Sequence, residues 1–312
     1  MAATNCTANV SRKHVYAYSN SGNTTLANRI AALGFNIVPR ETTIKAQGVN
    51  GLIFPKAEDY VTDKISAAGA VNFEVRPNHL RWFLPLVFGT AFSTNTILLG
   101  PSCPFFRVGH LDNQLEDVTT FIDCATSRLT FQSSSSGGGI LTANHEVEAS
   151  TYTTGNVATW PAGLNLSAQQ PLVHSQSSLT VNGNPVIFND VQIVIDYGLM
   201  TDEYYNSQIR EDFPSDGVTV QLIFTAKYDG ANERALTNLT GPVAASLRYQ
   251  NPANTLSATF NLPSVTQLER TKPGVGGRGS RVTQQFTFEA HLAAGANEST
   301  DSCLSVTLDD TP

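Results

Sequence analysis

The side chains best suited to chemistry in this 312-residue chain are spaced in ways that fall short of a reactive site. Glu146 and Glu148 alternate along one strand-like segment, and two carboxylates facing one substrate are what glycoside hydrolysis requires. Neighbouring acids on the exposed face of a strand are commonplace, however, and that is the preferred reading. Glu289 and His291 read in the same way, as the polar side of another strand and not as an acid–base pair. The Gly274–Gly279 stretch, GVGGRG, invites comparison with a phosphate loop. It lacks the Gly-Lys-Ser/Thr ending, and a strand pattern follows where a nucleotide loop needs a helix. A hairpin tip or an inter-subunit arm is expected there instead.

The six histidines (His14, His79, His110, His145, His174 and His291) are scattered singly, and no His-Glu-x-x-His or Gly-x-Ser-x-Gly motif occurs. Cys6, Cys103, Cys124 and Cys303 are far apart, with no Cys-x-x-Cys and no zinc spacing. They are expected to be small buried hydrophobes or chance thiols, with a Cys103–Cys124 bridge left open. No catalytic residue, metal or cofactor is expected, and the chain is not read as an enzyme.

The elements that would position these residues are mainly strands. Val71, Phe73 and Val75 alternate with polar neighbours. Pro77 then suits the first position of a helix carrying Leu80, Phe83, Leu84, Val87 and Phe88, with Gly89 as its stop and Pro85 limiting its length. A short helix is also expected over Thr25–Leu33. Strand patterns cover Val118–Phe131 and Leu141–Ala149, around a loop tip at Ser133–Gly139. Leu179–Val181 and Val186–Phe188 flank Asn182-Gly183-Asn184-Pro185, a hairpin signal. Further alternation marks Val191–Tyr197, Val218–Tyr228, Leu256–Leu262 and Val282–Leu292, the last expected strand, with a short helix at Glu233–Leu239.

Both halves therefore run strand, short helix, strands. In addition, Ser127–Ser150 has the shape of Ser177–Gly198: a strand, a turn and a long alternating strand. The organisation expected is an N-terminal arm over 1–24, a first β unit over 25–152, a linker over 153–176 interrupted by Pro161, Gly163 and Pro171, and a second unit with a C-terminal tail over 177–312.

Charged residues are only 14% of the chain and the net charge is −7. Proteins that grip nucleic acid need a basic stripe, and no dense Lys/Arg run is present, so specific DNA or RNA binding is not expected. Ser, Thr, Asn, Gln and Gly fill the shortfall, a mix suited to surfaces covered by neighbours. Met1–Tyr18 has no apolar run of the kind a secretory leader carries, and no segment reaches the ~20 apolar residues of a membrane span. The Asn-x-Ser/Thr triplets at Asn5, Asn9, Asn23, Asn165, Asn238 and Asn297 are accordingly attributed to chance.

Five segments carry a resemblance: Asn72–Gly89, Phe105–Leu111, Gly137–Thr151, Pro171–Leu199 and Leu256–Val265. An apolar helix after an early strand, a central Asn-Gly hairpin running on to Asp196-Tyr197-Gly198-Leu199, and a late strand ending in Leu262-Pro263 resemble, in that order, the landmarks of tail tube proteins of long-tailed bacteriophages. The match spans most of residues 25–292 and is one of order and pattern.

The resemblance implies two related β-sandwich or half-barrel units whose inner sheets join those of neighbours into a ring-forming β-barrel. Rings of three or six chains would stack into a hollow tube, the smaller ring being favoured if each chain carries two units. The tube would enclose the tape measure protein, contact tail terminator and tail tip proteins, and pass DNA without binding it specifically. The protein would reside in the virion tail after assembly in the host cytoplasm. On this reading Glu146, Glu148, Gln192, Asp196, Gln285 and Glu289 are lumen-facing candidates, and Ser133, Gly138, Gly274 and Arg278 are candidates for contacts between rings. The alternatives are a capsid decoration or tail fibre protein, or a secreted carbohydrate-binding sandwich. The latter would want an exposed aromatic platform, whereas Trp82 lies in the apolar helix and Trp160 stands alone.

Overall fold

A computed structural model describes residues 14–20, 22, 26–30, 32–45, 60–112, 115–136, 139–156, 158, 160–161, 169–202, 204, 207–227, 231–253, 255–268, 282–297 and 300–309. The first half contains β1 (His14–Asn20), β2 (Asn28–Ile30), β3 (Ala32–Phe35), β4 (Val38–Lys45), β5 (Tyr60–Glu74), α1 (Pro77–Phe88), β6 (Thr96–Leu98), β7 (Phe106–Asp112), β8 (Asp117–Ser134) and β9 (Thr142–Asn156). The second contains β10 (Val173–Val181), β11 (Asn184–Val186), β12 (Phe188–Asp196), β13 (Thr219–Lys227), α2 (Ala231–Leu236), β14 (Val243–Gln250), β15 (Ser257–Gln267), β16 (Thr283–Ala290) and β17 (Ser305–Asp309). All pairings between these strands are antiparallel, and the sheet they form does not close on itself.

Local chemistry explains the sharpest boundaries. Helix α1 begins at Pro77, whose fixed φ suits a first turn, and ends at Gly89 with φ 71, the left-handed conformation that costs glycine least. Pro85 lies inside its three turns. Its apolar stripe is fully buried: Phe83 packs edge-on against Phe73, 5.1 Å between centroids, and against His145 at 5.1 Å. Asn182 and Gly183 take φ 52 and 73, the two positive values of a type I′ turn, and close the β10–β11 hairpin.

Three sequence expectations are corrected. Thr25–Leu33 holds strands β2 and the start of β3 in place of a helix: Tyr16–Tyr18 and Phe73 offer ladder partners, and tertiary pairing overrides a weak local preference. The arm over 1–24 is interrupted by β1, which pairs with β7 over seven residues and buries Tyr18. Val282–Leu292 is not the last strand, because β17 follows and pairs with both β15 and β6. The Cys103–Cys124 bridge is not formed; Cys103, Cys124 and Cys303 are free thiols.

The two halves repeat one topology. In the first, strands run β2–β1–β7–β8–β9–β5, with β3 and β4 end to end along the outer edge of β5. In the second they run β11–β10–β14–β15–β16–β13–β12. The registers coincide as well. Ala67–Glu74 pair with Ala149–Thr142 as Val220–Lys227 pair with Ala290–Thr283. A register shift between Phe106 and Val108 recurs between Val243 and Ala245, and one between Ala32 and Gly34 recurs between Phe188 and Asp190. Bulges re-aim strands at specific points and are built features. The strand–helix resemblance of the halves thus overlays equivalent elements. The likeness of Ser127–Ser150 to Ser177–Gly198 does not, since β8 and β9 correspond to β15 and β16.

Candidate functional site

Eight strands run side by side in the order β4–β5–β9–β8–β12–β13–β16–β15. The joint between the halves is the β8–β12 ladder, from Asp190 opposite Ser134 to Asp196 opposite Arg128. Alternation along each strand separates two faces. Ala143, His145 and Val147 on β9, Val191, Ile193 and Ile195 on β12, and Phe286 and Phe288 on β16 are buried. The residues between them form a predominantly polar face, interrupted by Val194 and Ile223.

All six residues expected at a lumen lie on that face. Glu146, Arg128 and Asp196 stand in one cross-strand row, and Asn144, Thr130, Val194, Gln221 and Glu289 in the next. Gln192 sits beside Gln132, and Gln285 beside Thr225. Glu148 is on β9 one alternation beyond Glu146.

The face is less acidic than its carboxylates suggest. Arg128 donates to Asp196 Oδ2 from Nε at 3.0 Å and from an Nη at 2.6 Å. Partial burial would raise the Asp196 pKa, but the Gly198 N–H and the Arg128 guanidinium together hold it below the ordinary carboxylate value. Glu148 is bound by Arg210 at 3.3 Å, and the Arg210 guanidinium is itself buried, stacked 4.7 Å from the Phe213 ring and 5.4 Å from Tyr204. Glu146 accepts from the Asn144 amide at 3.3 Å.

These two arginines were missed in the sequence. Arg128 carried a usable signal, since it alternates with buried Leu129 and Phe131 on β8 and must share the polar face. Arg210 comes from the β12–β13 connection, whose backbone is anchored when Ile65 N–H donates to Gln208 O at 2.8 Å, and no local pattern announces that contact.

Of the residues expected between rings, Gly138, Gly274 and Arg278 lie outside the described residues. Ser133 belongs to β8 and not to the loop tip. It is 5% exposed, and its hydroxyl joins Tyr249 Oη at 2.8 Å and His174 Nδ1 at 2.9 Å, so it is occupied within the chain. Among the described residues no group of three His, Cys, Asp or Glu side chains is placed to share a metal ion. No described helix is long and apolar enough to cross a membrane.

The sequence profile of a family described as phage tail tube protein matches residues 41–290, from β4 through the end of β16. The chain belongs to the phage tail tube protein family. A search of the curated proteins finds no match. As a member of the tail tube family it is a structural protein of the virion tail that assembles with copies of itself into a tube. The matched stretch covers all eight strands of the sheet apart from the first three residues of β4.

Proposed function

We propose that the chain forms rings that stack into the hollow tail tube, with the polar face of the eight-stranded sheet lining a bore that holds the tape measure protein and later conducts DNA. The observation that carries this reading is an open sheet with one face apolar and packed and the other predominantly polar. Closing such sheets around an axis removes the edge strands that otherwise invite aggregation, and head-to-tail contacts that close make rings.

Two tube units per chain, the first ending with β9 and the second beginning with β10, favour three chains per ring. Strands about 4.8 Å apart and tilted about 40° give a backbone diameter of roughly 50 Å for three chains and roughly twice that for six. With side chains about 5 Å deep on each wall, the smaller ring leaves a bore of roughly 40 Å, wide enough for one hydrated duplex. The larger would leave DNA unguided. A lining of amides, hydroxyls and carboxylates, with arginines engaged by acids, has little pull on phosphates. Tail terminator and tip proteins would cap the ends of the tube, assembled in the host cytoplasm.

Electron microscopy of the concentrated protein tests this. Tubes with three double units per ring and a bore near the smaller figure are expected; a protein that stays monomeric under all assembly conditions would refute it.

A further inference from the structure

The β10–β11 hairpin turns on Asn182-Gly183, and that pair carries a chemistry of its own. Asparagine is among the thermolabile side chains, and among the described residues Asn182 is the only asparagine followed by glycine. Both residues are exposed, and a Cβ built on Gly183 would meet nothing within 4 Å. No side chain therefore screens the Gly183 nitrogen. Among the described residues nothing is hydrogen-bonded to the Asn182 side-chain amide or to the Gly183 N–H. The turn is held instead through the Asn182 main chain. Its N–H donates to Ala244 O at 2.8 Å, and its carbonyl accepts from the Asn184 side-chain amide at 3.1 Å.

We infer that Asn182 is a site of spontaneous deamidation, at which water replaces the side-chain amide with a carboxylate and leaves aspartate or isoaspartate in the turn. The Gly183 nitrogen, on losing its proton to hydroxide, attacks Asn182 Cγ. A new N–C bond closes a succinimide ring, and the Cγ–Nδ2 bond breaks with release of ammonia. Water then opens the ring. Attack at Cγ restores the normal backbone and gives aspartate; attack at the main-chain carbonyl leaves the chain running through Cγ and gives isoaspartate. The turn must open for the first step, because type I′ geometry fixes the Asn182 backbone torsions. Strand β11 makes that opening easy. It spans only Asn184–Val186, and its ladder among the described residues is with β10 alone. Such short elements open at little cost.

The two products differ in what they leave standing. Aspartate tolerates positive φ and suits a type I′ turn as asparagine does. It makes the formal charge of −7 one unit more negative and leaves the hairpin intact. Isoaspartate adds the same charge and also a methylene to the main chain, so the pairing of Val181 with Asn184 cannot be kept. Strand β11 then loses its ladder, and the contacts of α2 go with it: Asn232 donates to Pro185 O at 3.0 Å, and the Ile187 N–H donates to Glu233 at 3.0 Å. A virion subunit is not replaced after assembly, so the change accumulates with the age of the particle.

Ageing the folded, full-length chain in mildly alkaline buffer tests this. Peptide mapping by mass spectrometry should find the amide of Asn182 lost, part of the product being isoaspartate, and that fraction should grow with time. Amide hydrogen exchange at Val186 and Ile187 should rise in step with the isoaspartate. Freshly prepared Asn182→Asp carries the charge without the methylene, and its exchange there should match that of fresh wild type. If Asn182 keeps its amide in the folded chain while the urea-unfolded chain loses it, the fold protects the turn and the inference fails. Amide loss with unchanged exchange would overturn the loosening of β11.

Discussion

At the scale of single residues, the most consequential group is His145 on β9, fully buried between Tyr18, Phe83 and Phe106. Its Nε2 lies 2.9 Å from the Thr126 hydroxyl and its Nδ1 3.3 Å from the Tyr18 hydroxyl. A neutral imidazole has one donor and one acceptor, and hydroxyls can serve either. Burial therefore lowers its pKa from 6.5 to about 3, and burial together with the charge of Arg76 takes His79 to about 4. The folded state thus binds fewer protons than the unfolded one below pH 6.5. Stability should be full above that value and fall as pH drops, by up to about 1.4 kcal/mol per pH unit for each histidine. Urea unfolding of the monomer between pH 7 and 5 should record the decline, with a shallower slope in His145→Gln. An unchanged slope in that variant would exonerate His145.

At the scale of elements, two features hold the folded chain together. Strand β1 supplies a seven-residue ladder to β7 and places Tyr18 in the core. Removing His14–Asn20 should abolish cooperative folding, read by circular dichroism, and not merely weaken stacking between rings. The corner between β3 and β4 is held against β5 by close approach: a Cβ on Gly69 would lie 2.6 Å from Ile37 Cα and still nearer Asn36 O, both backbone atoms. Gly69→Ala should cost about 1–3 kcal/mol in monomer stability, read by urea unfolding. An unchanged unfolding midpoint would show that the corner relaxes around the added methyl.

The tandem repeat belongs to this scale too. Few residues coincide between halves; Val147, for example, has Phe288 as its counterpart. Periodicity carries no information about which strand pairs with which, so alternation alone does not tell that β8–β9 correspond to β15–β16 and not to the β10–β12 region. Helix α1 was legible to the residue because proline and glycine punctuate its ends by backbone geometry. Strands β1, β2 and β17 were not, since β1 and β17 are fixed by ladders to strands distant in the chain and β2 is only three residues long.

At the scale of the whole molecule, the polar face is the property to manipulate. Glu146→Lys with Glu289→Lys changes two acids on that face without touching a buried residue. If the face lines the bore, variant tubes should retain DNA in a salt-dependent way that wild-type tubes do not, because each basic contact releases counterions from the phosphates. Co-sedimentation of short duplexes at rising salt would measure it, and equal retention by both proteins would remove this face from the lumen.

The alternation of apolar and polar residues, by itself, determined that the chain is mainly β and which side of each strand is buried. The low charge and missing motifs pointed away from catalysis and towards assembly. Those are local properties, set by side-chain period and composition. Only the tertiary structure decided that the six polar candidates share one face, that Arg128 and Arg210 temper its acidity, and that Ser133 is internal. Each of those depends on register and on loops folding back across long separations, which no local pattern encodes.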